Sequence, residues 1–121
     1  MNRARFCDLF KETLLKKPQY LNKVEEFVRR KVEKPMEKYN AKDTPFISAG
    51  LYGKTGLGLR HAHFSQDDSI VYRVHGSPSM IDIYGIFSHK DLGTGNTSNI
   101  QTQKRMAKQF QNQVFEKRPP E

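Results

Sequence analysis

The stretch Gly58–Gly95, GLRHAHFSQDDSIVYRVHGSPSMIDIYGIFSHKDLGTG, decides the fold. It reads as three consecutive strands, at about Leu57–Phe64, Ser69–His75 and Met80–Ser88. Ser65-Gln66-Asp67-Asp68 and Gly76-Ser77-Pro78-Ser79 separate them with the residues that tight turns favour. Period-2 alternation sets Ile70, Tyr72 and Val74 against Val71, Arg73 and His75. In the third run it groups Ile81, Ile83, Gly85 and Phe87 on one face, and Met80, Asp82, Tyr84 and Ile86 on the other. Apolar residues on both faces imply a central strand covered on both sides. All four histidines of the chain, His61, His63, His75 and His89, fall in this stretch.

Upstream, residues 4–16 predict an amphipathic helix, with Phe6, Leu9, Phe10, Thr13 and Leu14 at helical spacing. Lys16-Lys17-Pro18 ends it, because proline lacks the amide donor. A second helix follows, with Tyr20, Val24, Phe27, Val28, Val32 and Met36 on one face and Lys23, Arg29, Arg30, Lys31 and Lys34 on the other; Pro35 kinks or ends it. These two helices over 4–39 predict a hairpin packed on the sheet. Residues 40–56 read as a linker, 57–91 as the sheet, and Ser98 with Gln101 as a capping box opening a last helix over 98–116. The expected class is α+β: an N-terminal helical hairpin on a small antiparallel sheet, closed by a C-terminal helix.

At 121 residues the chain suffices for one domain with one core. It has no long apolar run, so no membrane span is expected. One cysteine, Cys7, precludes an internal disulfide, and beside Phe6 and Phe10 it reads as a buried structural thiol. Together these predict a cytoplasmic location. Net charge is +8, with 12 Lys/Arg against 6 Asp/Glu in residues 1–42 and 9 against 7 in residues 43–121. Such a balance predicts contact with phosphate backbones or an acidic protein.

Gly53-Lys54-Thr55 lacks the G-x-x-x-x-G-K-[ST] spacing, since Gly50 precedes Gly53 by three. Lys54 is therefore read as a loop lysine able to contact phosphate, not as part of a nucleotide loop. His61-x-His63 has a spacing that metal sites use, but no H-E-x-x-H or C-x-x-C supplies further ligands, so no metal or other cofactor is expected. Metal-free cleavage of RNA beside a 2′-hydroxyl needs a base, an acid for the leaving 5′-oxygen, and cations around the phosphorane. Imidazoles suit the proton steps, and Arg or Lys the charge. His61 or His63, with His89, are the candidates for base and acid, in either assignment. Arg60, Arg73 and Lys90 are the candidate cations. The bland reading is ordinary polar residues on an exposed sheet face.

The order of elements, with VYRV in the middle strand and IYGIFSHKD in the next, resembles the RelE/ParE toxin superfamily, especially its ribosome-dependent mRNA interferases. The resemblance spans roughly residues 15–110 and is sharp over 57–91. It implies a RelE-like fold and a toxin of a toxin–antitoxin pair that cuts mRNA in the ribosomal A site. It also implies a cognate antitoxin that covers the basic surface. Arg60, His61 and His63 fall where the family has Lys, Arg or His around the scissile phosphate. His89 falls on a general acid or base, and Lys90 on a phosphate-contacting Arg. Ser69 stands where a catalytic Arg is found, with Arg73 as its replacement, and no C-terminal catalytic Tyr is evident after Gly95. Arg29, Arg30, Lys31 and Lys34 would hold ribosomal RNA. The same superfamily also contains DNA gyrase inhibitors, and a binding module without activity fits the basic surface as well.

Overall fold

The computed structural model describes residues 1–46, 58–95 and 98–115. Lys54, most of the 40–56 linker, Leu57 and residue 116 therefore fall outside the described residues. The fold is α+β. The elements are β1 (Arg3–Phe6), α1 (Asp8–Lys16), a single tight turn at Pro18–Tyr20, α2 (Leu21–Glu33), β2 (Thr44–Pro45), β3 (Arg60–His63), β4 (Asp68–His75), β5 (Met80–Ser88), α3 (His89–Leu92) and α4 (Ile100–Gln111). One five-stranded sheet has the order β1-β5-β4-β3-β2.

Two expectations about the N-terminus are corrected. Residues 3–6 are a strand, not the first turn of a helix, and the strand runs parallel to β5, which makes the sheet mixed rather than antiparallel. The physical reason is the open edge of β5. Its backbone groups need partners, and β1 supplies them from Met80 to Ile83. Beyond Ile83 helix α1 takes over that edge, and the Thr13 hydroxyl accepts the Ile86 amide at 3.0 Å. Cys7 sits at the strand-to-helix corner. Its buried thiol donates toward the carbonyls of Ile83 and Tyr84, and burial pushes its pKa up.

The sheet carries an apolar cluster on each face. On the first, Val24 and Phe27 of α2 and Phe10 of α1 meet Ile70, Tyr72, Ile81, Ile83 and Ile86. On the second, Met106, Ala107 and Phe110 of α4 meet Leu59, Val71, Tyr84 and Phe87. So β5 is covered on both sides. Its side chains do not keep the simple alternation, however. Val71 pairs with Gly85 and Tyr72 with Ile83, so Tyr84 is an extra residue in β5, a bulge. Ile86 thereby joins Ile81 and Ile83 on the first face, and Phe87 joins Tyr84 on the second, opposite to the uninterrupted alternation. Only glycine fits at 85, because a Cβ there would lie 2.6 Å from the Phe87 ring.

Asp43, fully buried, ties the first face to the linker. It accepts from the Tyr72 hydroxyl (2.6 and 2.7 Å), the Tyr39 amide (2.8 Å) and Arg60 Nε (3.1 Å), and lies 3.3 Å from Lys31 Nζ. Lys31 also donates to the Glu37 carbonyl, and its ammonium stands 4.8 Å from the Tyr72 ring centre. Burial alone would raise the Asp43 carboxyl. The amide, the hydroxyl and the two cations outweigh it and hold the group below its usual range. Among the described residues no helix is long and apolar enough to cross a membrane.

Asp43→Ala leaves a buried ammonium, a phenol and a guanidinium short of their acceptor, so a loss of about 3–5 kcal/mol is expected in urea unfolding. Tyr72→Phe removes one donor only and should cost about 1–3 kcal/mol. An Asp43→Ala chain within experimental error of the parent would refute a central role for this network.

Candidate functional site

Strand β3 is RHAH, and its pairing fixes which way each side chain points. Arg60 and Ala62 pair with Tyr72 and Ile70 of the first face, so His61 and His63 project from the second. His61 lies opposite Thr44 of β2, and its Nδ1 meets the Thr44 carbonyl at 3.0 Å. A carbonyl only accepts, so Nδ1 carries the proton and Nε2 is left as an acceptor. The ring is buried and lies edge-on to Phe46. His63 is half-buried.

His89 arrives from the far end of β5. Its amide donates to the Asp67 carbonyl at 3.2 Å, and Ser88 caps the short α3 by accepting the Asp91 amide. Gly93 closes that turn in the left-handed region at φ 75°, where a Cβ would meet the Asn99 carbonyl at 2.6 Å. His89 Nε2 donates to the Gln66 carbonyl at 3.0 Å, and Nδ1 meets the Thr94 hydroxyl at 3.1 Å. The three rings form a row. Centroids are 6.4 Å apart for His61 and His63, and 4.7 Å apart for His63 and His89.

Two of the three rings, His61 and His63, are disfavoured from charging. Burial lowers the His61 pKa most, and the neighbouring imidazoles add to it. Burial likewise lowers His63, followed by the charges of His89 and Lys42. Ser69, which pairs with both His63 and Phe87, lies fully buried on the same face, and its hydroxyl has no hydrogen-bond partner among the described residues. Among the described residues no three metal-type ligands stand close enough to hold an ion.

The structure brings His61, His63 and His89 together but separates them from several expected partners. Arg60 is on the other face of the sheet, donating to the Asp43 carboxylate and, at 2.9 Å, to the Asp43 carbonyl. Arg73 pairs across from Asp82, close enough for its charge to act on Tyr84, at the other end of the second face. There Asp82 is held by a two-point contact with Arg5 (2.7 and 2.8 Å) and by His75 Nε2 (2.8 Å). Lys31 is buried, so it is not a surface contact for ribosomal RNA. Arg29, Arg30 and Lys34 are exposed, but on α2, which covers the first face rather than the histidine face. Arg30 also stacks on Tyr39 at 4.7 Å and donates to its carbonyl. Lys90 is exposed beside His89. Lys42 was absent from the sequence reading. A lysine in an aperiodic linker gives no signal of its own, and only the fold of residues 34–46 carries its charge to His63. Comparison of the chain with protein-family models, curated proteins and solved structures returns no match.

An imidazole whose pKa falls on folding binds fewer protons folded than unfolded. Its effect on stability is therefore nil well above the unfolded value of about 6.5, and becomes a loss as pH drops through that value toward the folded one. The urea midpoint should accordingly fall between about pH 7.5 and about pH 5.5, and His61→Gln should shrink that fall. An unchanged pH dependence in the variant would rule out the buried neutral imidazole as its source. Ser69→Ala, which removes an unsatisfied hydroxyl, is expected to leave the midpoint the same or higher.

Proposed function

We propose that the chain is a metal-independent endoribonuclease acting on mRNA in the ribosome, the toxin of a toxin–antitoxin pair in the cytoplasm. The observation that carries this reading is the row of three imidazoles on one sheet face, with His63 and His89 centred 4.7 Å apart, in a chain of net charge +8. His63 is half-exposed and biased toward its neutral form, which suits the base that takes the 2′-hydroxyl proton. The freed oxygen attacks phosphorus, the bond to the 5′-oxygen breaks, and His89 donates the proton that the leaving oxygen takes up. The products are a 2′,3′-cyclic phosphate and a 5′-hydroxyl. Lys42 is the cation for the phosphorane, in place of Arg60 and Arg73, and Lys90, next to His89, holds an adjoining phosphate. His61, anchored to Thr44, positions the row rather than transferring the proton. The finer fold reading, a RelE-like arrangement, rests on the sequence resemblance. The helices α1 and α2 ahead of the antiparallel β3–β4–β5 run, with α4 after it, support it. An antitoxin and the ribosome are the partners this reading requires.

One observation favours a second reading, a binding module without activity. Both ring nitrogens of His89 already have partners inside the protein, as a purely structural histidine would. Mapping mRNA 5′ ends in a translation reaction, with and without ribosomes, distinguishes the two. The parent chain should give ribosome-dependent cuts, and His63→Ala and His89→Ala should each lower them by about 10²–10⁴, the range for a general acid or base. Folded variants that cut at the parent rate would overturn the assignment, and a folded parent that never cuts would leave the binding module.

A further inference from the structure

A cavity of about 630 Å³, lined by none of the histidines, is bounded by α1, the end of β5, α3 and α4. That volume is within the range of small-molecule sites. Its floor is apolar, built from Leu9, Phe87 and Met106. Lys16 of α1, Lys90 of α3 and Arg105 of α4 stand around it. These three cations come from three separate elements. None of the three side chains has a hydrogen bond or an ion pair among the described residues, although Glu12 and Asp91 line the same cavity. Lys17, also at the wall, is different. It is bound to Asp68, which Tyr20 holds from the other side at 2.7 Å. The amide end of α4 is in use too, since the Asn99 side chain accepts the Thr102 amide. The three unpaired side chains are therefore the cations at hand for an anion in this cavity.

We propose that this cavity is a nucleotide subsite, with a base lying on the apolar floor and its phosphate among Lys16, Lys90 and Arg105. A phosphate offers several acceptor oxygens and so can engage cations from three directions at once, while a flat ring matches a floor with one aromatic and one thioether side chain. The nucleotide can be a free mononucleotide or one unit of an RNA strand. The strand is favoured by chain geometry: His89 and Lys90 are successive residues, one turned to the imidazole row and the other to the cavity. A strand crossing α3 would meet both, placing a neighbour of the cleaved nucleotide in the cavity. That extension rests on the nuclease reading, whereas the subsite itself does not.

The test is calorimetric titration of the full chain with AMP, inorganic phosphate and a short oligoribonucleotide. AMP or the oligonucleotide should bind more tightly than inorganic phosphate. Lys16→Glu and Arg105→Glu should each weaken that binding about tenfold, the size of one lost charge-assisted hydrogen bond. Both residues are exposed, so thermal unfolding should be unchanged. Binding of the oligonucleotide but not AMP, lost in both variants, assigns the site to an RNA strand, and AMP binding assigns it to free nucleotide as well. Affinities unaffected by either substitution, or neither AMP nor the oligonucleotide binding more tightly than inorganic phosphate, overturn the proposal. His89→Ala separates the two readings, because it should lower cleavage by about 10²–10⁴ and leave these affinities intact. A chain that binds through Lys16 and Arg105 but never cleaves keeps the subsite and loses only the nuclease.

Discussion

The phase of β3 depends on one buried carboxylate. Asp43 collects donors from α2, the linker, β3 and β4, and has no exposure to water. A carboxylate so placed is tolerable only while its partners remain. It therefore fixes where each of them sits. The consequence for β3 is the decisive one. With Arg60 held on the first face, alternation leaves His61 and His63 no choice but the second. A slip by one residue would put both imidazoles under α2 and leave Asp43 without its guanidinium. The interaction that stabilises one side of the sheet thus aims the chemistry on the other.

The third imidazole depends on a different constraint. Uninterrupted alternation from Ile83 would place Phe87 and position 89 on the first face. The extra residue at Tyr84 shifts the phase of everything after it, so Phe87 packs on Phe110 and His89 stands beside His63. The bulge needs Gly85, because any side chain there would strike Phe87. A single glycine in a strand otherwise made of Ile, Tyr and Phe is the signal of that shift, and it was readable. The strands of the central sheet and the last helix were legible from alternation, turn residues and helical spacing, although the cap is Asn99, which accepts the Thr102 amide, and not Ser98. β1 was not, because Phe6, Leu9 and Phe10 fit a helical stripe, and only pairing with β5, some 77 residues away, makes Arg3–Phe6 extended. The roles of Lys31 and Arg60 were illegible for a related reason. Nothing near either residue in sequence announces Asp43 as its partner.

Charge shows the same limit of local reading. The basic excess of residues 1–42 reads as one surface, but folding uses part of it internally. Arg5 goes to Asp82, Lys17 to Asp68 and Lys31 to Asp43, each an acid from the other part of the chain. Of the other cations, Arg29, Arg30 and Lys34 stand on α2, Lys16 lines the α1–α4 cavity with Lys90 and Arg105 from the later part of the chain, and Lys42 stands near the imidazoles. At physiological salt, exposed charges more than about 8 Å apart hardly feel one another. Charges on elements further apart than that act as separate contacts rather than one field. A short oligonucleotide can engage one or two of them, while a partner that touches all three must be large and anionic over much of its surface, or flexible enough to wrap. The folded charge map thus separates local recognition near α3 from any wider docking through α2, and a substitution in one should leave the other standing.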